Sequence, residues 1–155
     1  MNDIPVLASL SSPPQGFTEV LCYRDRSLYT FFTYRDDFLI VVTGDADSKF
    51  RLQTELPISA LAWLADVIDV QLGWTPNDGG LPVGTALVAQ EFDGETIQVC
   101  RLANTRGSGE PGFEIKNRSR YFQTTKRKRE QYFEFTDEVM RAVGLVEKFR
   151  ALARS

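Results

Sequence analysis

With 155 residues, 43% of them hydrophobic and 12% aromatic, the chain can bury a substantial core and is too apolar to be disordered. No apolar run approaches the ~18 residues of a membrane helix, the N-terminus lacks the basic start of a signal peptide, and two cysteines are too few for a disulfide scaffold. A cytoplasmic location is expected, or an organelle stroma, with no membrane partner. The net charge of −3 conceals a segregation: residues 101–130 hold nine basic and three acidic groups, and the other residues hold nine basic and eighteen acidic groups.

Residues 1–16 read as an irregular lead-in, because Ser11-Ser12-Pro13-Pro14-Gln15-Gly16 disfavours helix and strand alike. Strand-like runs follow at 17–24, 27–34, 37–43 and 48–54, separated by short turns. In the last run Phe50 and Leu52 alternate with Lys49, Arg51 and Gln53, the pattern of an antiparallel meander with one wet face. Leu61, Leu64, Val67, Ile68 and Leu72 then recur at spacings of three and four, so an amphipathic helix is expected over 58–72, closed by Gly73 and with Asp66 and Asp69 facing water.

A Gly/Pro-rich linker around 75–82 precedes a second set of strands. Asp93-Gly94 between the runs 84–92 and 95–103 is the clearest hairpin signal in the chain. Runs at 113–117, 119–125 and 131–135 follow, the last two separated by the turn Lys126-Arg127-Lys128-Arg129-Glu130. Thr136 can cap a closing helix whose stripe is Val139, Met140, Val143, Val146, Phe149 and Leu152, with Gly144 weakening its centre. The expected fold is α+β: two consecutive meanders, each followed by a helix (ββββα-ββββα). Halves 17–73 and 83–153 would form a single domain over 17–155, because either half alone would leave a strand face and a helix stripe uncovered.

The chain has no histidine. That removes the usual general base near neutral pH, the nucleophile-histidine pairs and the histidine metal sites. The cysteines Cys22 and Cys100 sit in strand-like runs and read as buried, reduced side chains. The acidic pairs Asp36/Asp37, Asp45/Asp47 and Asp66/Asp69 read as solvated charge, and the clusters Gly79-Gly80 and Gly107-Ser108-Gly109 match no phosphate loop. No enzyme activity, cofactor or metal is expected.

Binding is better supported. Arg101, Arg106, Lys116, Arg118, Arg120, Phe122, Lys126, Arg127, Lys128 and Arg129 are the candidate contacts to nucleic acid, with Tyr121, Tyr132 and Phe133 interleaved among them. Cations neutralise phosphates, and exposed rings stack on splayed bases. On a strand Arg118, Arg120 and Phe122 share one face, and Ser119 and Tyr121 the other. The same stretch could meet an acidic protein partner or act only as a solvated turn. An alternative function is a protein-interaction or assembly module, a regulatory or chaperone-like subunit, using an apolar face around Tyr29, Phe31, Trp63 or Trp74.

FRLQTELPISALAWLADVI (50–68) resembles the fourth strand and first helix of a unit in the Whirly, PC4-like and PUR-repeat group of single-stranded nucleic-acid-binding proteins. FEIKNRSRYFQTTKRKREQYFEFTDEVMRAVGLVEKF (113–149) is similar to the later strands and closing helix of a second unit. The lysine-glycine-lysine motif of Whirly strands is absent. The resemblance implies single-stranded DNA or RNA lying along exposed sheet faces, reached by the basic groups of residues 116–129, and assembly through helices or sheet edges. A homodimer is expected, since meander edges need covering.

Overall fold

The computed structural model describes residues 4–8, 10–24, 27–45, 51–72 and 87–154. The expected turn at 25–26, Phe50, the linker 75–82 and Trp74 lie outside them. Strands β1 (Phe17–Arg24), β2 (Ser27–Tyr34), β3 (Phe38–Asp45) and β4 (Leu52–Pro57) form one antiparallel sheet in sequence order. β5 (Leu87–Phe92), β6 (Glu95–Leu102), β7 (Gly112–Tyr121) and β8 (Glu130–Thr136) form a second sheet of the same order. Each sheet is followed by helix, which gives the α+β arrangement its two-part rhythm.

The helix after the first sheet changes winding along its length. A 3₁₀ turn, Ile58–Ala60, leads into α1 (Leu61–Asp66) and then a π-wound stretch, Val67–Leu72. Leu61, Leu64, Ala65, Val67 and Ile68 are buried, and Asp66 and Asp69 are exposed, as the periodicity requires. After the second sheet the single expected helix is two: α2 (Asp137–Val143) and α3 (Leu145–Arg154). Gly144 is the reason. It takes a left-handed conformation, φ 64°, and ends α2. Thr136 caps α2 by accepting a hydrogen bond from the Val139 N–H at 3.1 Å. Thr136→Ala is therefore expected to cost about 1 kcal/mol of unfolding free energy in urea titration.

One apolar cluster joins both halves. Phe31, Leu39, Val41 and Leu56 from the first sheet meet Ile97, Val99, Ile115, Phe133 and Phe135 from the second, under α1 and α3. The outer face of the first sheet is not wet, contrary to the meander pattern. Phe32, Ile40 and Val42 point outward there, and the N-terminal segment lies over them with Ile4 and Leu7. Gln53, expected in water, fastens that segment: its amide donates to the Pro5 carbonyl at 3.0 Å and its oxygen accepts from the Leu7 N–H at 3.0 Å. Strands β2 and β3 are thus buried on both faces, which accounts for the unbroken apolar run from Phe38 to Val42.

Turn chemistry holds the registers. The turn between β5 and β6 places Asp93 and Gly94 at φ 51° and 82°, the twist-matched hairpin geometry that Asp-Gly favours. Arg35 and Asp36 make the same use of positive φ between β2 and β3.

Candidate nucleic-acid interface

The interface begins with an irregularity in β7. Asn117 pairs with Gln131, but Tyr121 pairs with Glu130, so Arg118, Ser119 and Arg120 have no opposite number on β8. An odd number of extra residues reverses the alternation of a strand. Up to the bulge, even-numbered residues of β7 face outward. Beyond it Tyr121 faces outward with Glu130, and Arg120 turns in. Ser119 secures the bulge by accepting from the Thr96 N–H at 2.9 Å.

Arg120 enters the seam between the sheets and is only 6% exposed. Its Nε donates to Glu95 Oε1 at 2.6 Å and its Nη1 to Glu55 Oε1 at 3.1 Å, with the guanidinium 4.7 Å from the Phe38 ring centre. Asn117 Nδ2 donates to Glu95 Oε1 at 2.9 Å and to the Glu55 carbonyl at 2.7 Å, and Gln131 Nε2 to Glu55 Oε1 at 3.0 Å. Burial works against the Arg120 charge, but the hydrogen bonds and charges of Glu95 and Glu55 outweigh it and hold the guanidinium above its ordinary pKa. These groups tie β4, β6, β7 and β8 together.

This geometry corrects three of the sequence-derived contacts. Arg120 is an internal counter-ion, unable to reach a phosphate outside. Phe122 is 5% exposed and packs against Tyr132 at 5.7 Å, so it cannot stack on a base. Arg101 forms a bidentate pair with Asp137, with Nη2 2.7 Å from Oδ2, and donates to the Gly112 carbonyl; it anchors the start of α2. The aromatic surface around Tyr29 and Phe31 is likewise core, Trp63 packs on Phe92 at 5.4 Å, and Cys22, expected to be buried, is exposed.

The remaining cations fall into two sets. Lys126, Arg127, Lys128 and Arg129 are all exposed on the loop from β7 to β8, whose neck is closed by a hydrogen bond from the Phe122 N–H to the Arg129 carbonyl at 2.9 Å. Lys128 Nζ lies 4.2 Å from the centre of the Tyr121 ring, which is 40% exposed. Arg129 lies over Tyr132 and its Nη2 donates to the Tyr132 hydroxyl at 3.0 Å. Thr124 Oγ1 donates to the Arg51 carbonyl at 3.4 Å, so the loop leans on the first sheet beside a further cation. Tyr121, Tyr132 and Arg51 were absent from the sequence-derived set. The interleaving of tyrosines with basic residues hinted at the first two; the third is distant in sequence.

Lys116 and Arg118 belong to the outer face of the second sheet, where they meet carboxylates: Lys116 Nζ is 3.8 Å from Glu114, and Arg118 Nε is 3.5 Å from Glu130. With Glu91 and Glu134 also on this face, its charge is mixed. The positive potential therefore concentrates on the loop, and the sheet face expected from the resemblance is the less cationic surface.

Arg106 stands at the far side of Tyr132. A cavity of about 220 Å³ opens there at the end of the seam, between Tyr29, Leu52, Arg106, Tyr132 and Glu134. Arg106 Nη1 donates to the Tyr29 hydroxyl at 3.2 Å, and that hydroxyl donates to the Glu134 carbonyl at 3.0 Å. Burial first, then the Glu114 charge directly across the strand pair, push the Glu134 carboxyl above the usual range, and Arg106 partly offsets them. A carboxyl raised on folding is best tolerated below its unfolded value and becomes a liability as pH rises through the folded one. Glu134→Gln is thus expected to raise the melting temperature at pH 7 by on the order of a degree or two, and to bring no gain near pH 4.

The chain matches no protein-family model, and no curated protein matches its sequence. No helix among the described residues is long and apolar enough to cross a membrane, and these residues hold no cluster of histidine, cysteine and carboxylate side chains that could ligate a metal.

Proposed function

We propose that the protein is a non-enzymatic binder of single-stranded DNA or RNA, and that the β7–β8 loop is its contact. The observation that carries this reading is the loop itself: four consecutive exposed cations beside two tyrosines that the strands hold at its base. Lysine and arginine there meet successive phosphates, and Tyr121 and Tyr132 offer rings to unstacked bases. A duplex keeps its bases stacked and uses only the cations. Fluorescence anisotropy with a labelled mixed-sequence single strand should show micromolar or tighter binding that weakens linearly in the logarithm of salt concentration. A duplex of equal length should bind more weakly. No binding at low salt would overturn the reading.

The edge strand β5 supports self-association. Leu87 on it is 54% exposed, the most exposed large apolar side chain among the described residues. Edge pairing of two copies would cover it and double the number of loops on one particle. Sedimentation velocity should give a dimer, and Leu87→Lys a monomer.

A further inference from the structure

The N-terminal segment turns every third residue toward the first sheet. Ile4 and Leu7 are buried and Leu10 and Pro13 half-buried, whereas Pro5-Val6 and Ser11-Ser12 between them are exposed. A strand turns inward at every second residue and an α-helix at about every 3.6, so neither fits this spacing. A repeat of three belongs to polyproline II, an extended left-handed helix whose backbone makes no internal hydrogen bonds. Residues 4–8 and 10–14 lie in neither helix nor strand, and Pro5, Pro13 and Pro14 set the φ that polyproline II needs.

The surface beneath is aromatic. Phe17, Phe32, Tyr34 and Phe38 line it beside Ile40 and Val42, with the Phe17 ring centre 4.6 Å from that of Tyr34 and 6.3 Å from that of Phe32. Grooves lined by aromatic rings are a recurrent dock for proline-rich segments, which arrive already extended and lose little entropy on binding. Gln53 holds the segment by its backbone, bonding the Pro5 carbonyl and the Leu7 N–H on either side of Val6. Apolar contacts at every third position and a grip on the main chain do not depend on which protein supplies the segment.

We propose that the outer face of the first sheet is a docking groove for a polyproline II segment of a partner protein, covered in the free molecule by the chain's own N-terminal segment. The partner segment contains proline and carries an aliphatic residue at every third position. This groove is separate from the β7–β8 loop and does not rest on nucleic-acid binding. Amide hydrogen exchange on the unmodified protein is the first test: the Leu7 N–H should exchange well before the core strands, by local lifting of the segment. The second test uses the full chain carrying Ile4→Asp and Leu7→Asp, which lifts the segment and leaves the groove intact. Leu7→Ala serves as a milder variant, and thermal melting checks that both are folded. A labelled peptide of repeated Leu-Pro-Pro units should bind the double variant about tenfold more tightly than the wild type, whose groove is open only while its own segment is away. Leu7→Ala should fall between them, and a peptide of repeated Leu-Pro units, with a spacing of two, should bind poorly. Leu7 exchanging only with the core, equal binding of the two peptides, or equal affinity for wild type and folded variants would overturn the groove. A dimer that survives Leu87→Lys and dissociates on adding the Leu-Pro-Pro peptide would give the groove to a second copy's segment and overturn the partner.

Discussion

Arg120→Met is expected to lower the unfolding free energy by about 3–5 kcal/mol, a large share of the ~5–15 kcal/mol that holds a small domain together. Methionine keeps most of the length of the side chain, so little of the loss comes from an empty space. The loss comes from Glu55 and Glu95, which are 2% and 4% exposed and face each other through the one guanidinium. Without it two carboxylates are left in the seam, facing the amide donors of Asn117, Gln131 and Gln53 with no guanidinium between them. Urea titration should show a lower midpoint at unchanged slope. Adding Glu55→Gln and Glu95→Gln to the same protein should recover much of the loss, because the neutral side chains keep hydrogen-bonding capacity without charge. A deficit below about 1 kcal/mol for Arg120→Met would mean that the seam does not depend on this ion triad.

Replacing Lys126, Arg127, Lys128 and Arg129 together by alanine should act in the opposite way, weakening binding and sparing the fold. All four are exposed. Their removal is expected to shift stability by no more than about 0.5 kcal/mol. Each phosphate contact contributes roughly −0.7 to the slope of log affinity against log salt on a single strand, so the slope should flatten by up to about 3 units. Affinity at low salt should fall by on the order of 10². An oligonucleotide affinity unchanged in this variant would move the contact elsewhere on the molecule.

Much of the scaffold could be read from local chemistry. The Asp-Gly hairpin, the Thr136 cap and the helical spacing of Leu61, Leu64 and Ile68 all depend on residues within a few positions of each other, and all appear in the structure. What escaped the sequence depends on partners far apart. Nothing near Gln53 indicates that it meets Pro5 and Leu7, so its alternation with Leu52 reads as a wet face when the N-terminal segment in fact covers it. Gly144 lowers helix propensity from any position, and only the left-handed φ shows that it ends one helix before another begins. Arg120 illustrates the same limit at the interface. Simple alternation puts it with Arg118, and its true partners, Glu55 and Glu95, lie 65 and 25 residues away. The loop was legible because four adjacent cations cannot all be buried.

The bulge at residues 118–120 separates two jobs along one strand. Tyr121 pairs with Glu130 and keeps to the outer face whatever the number of residues between it and Asn117, because a lost residue shifts its position and the alternation together. The three unpaired residues supply the slack by which Arg120 turns into the seam. Length in this stretch therefore serves the ion triad rather than the ring. A conservative substitution at Arg118 should be survivable where a deletion would draw Arg120 away from Glu55 and Glu95.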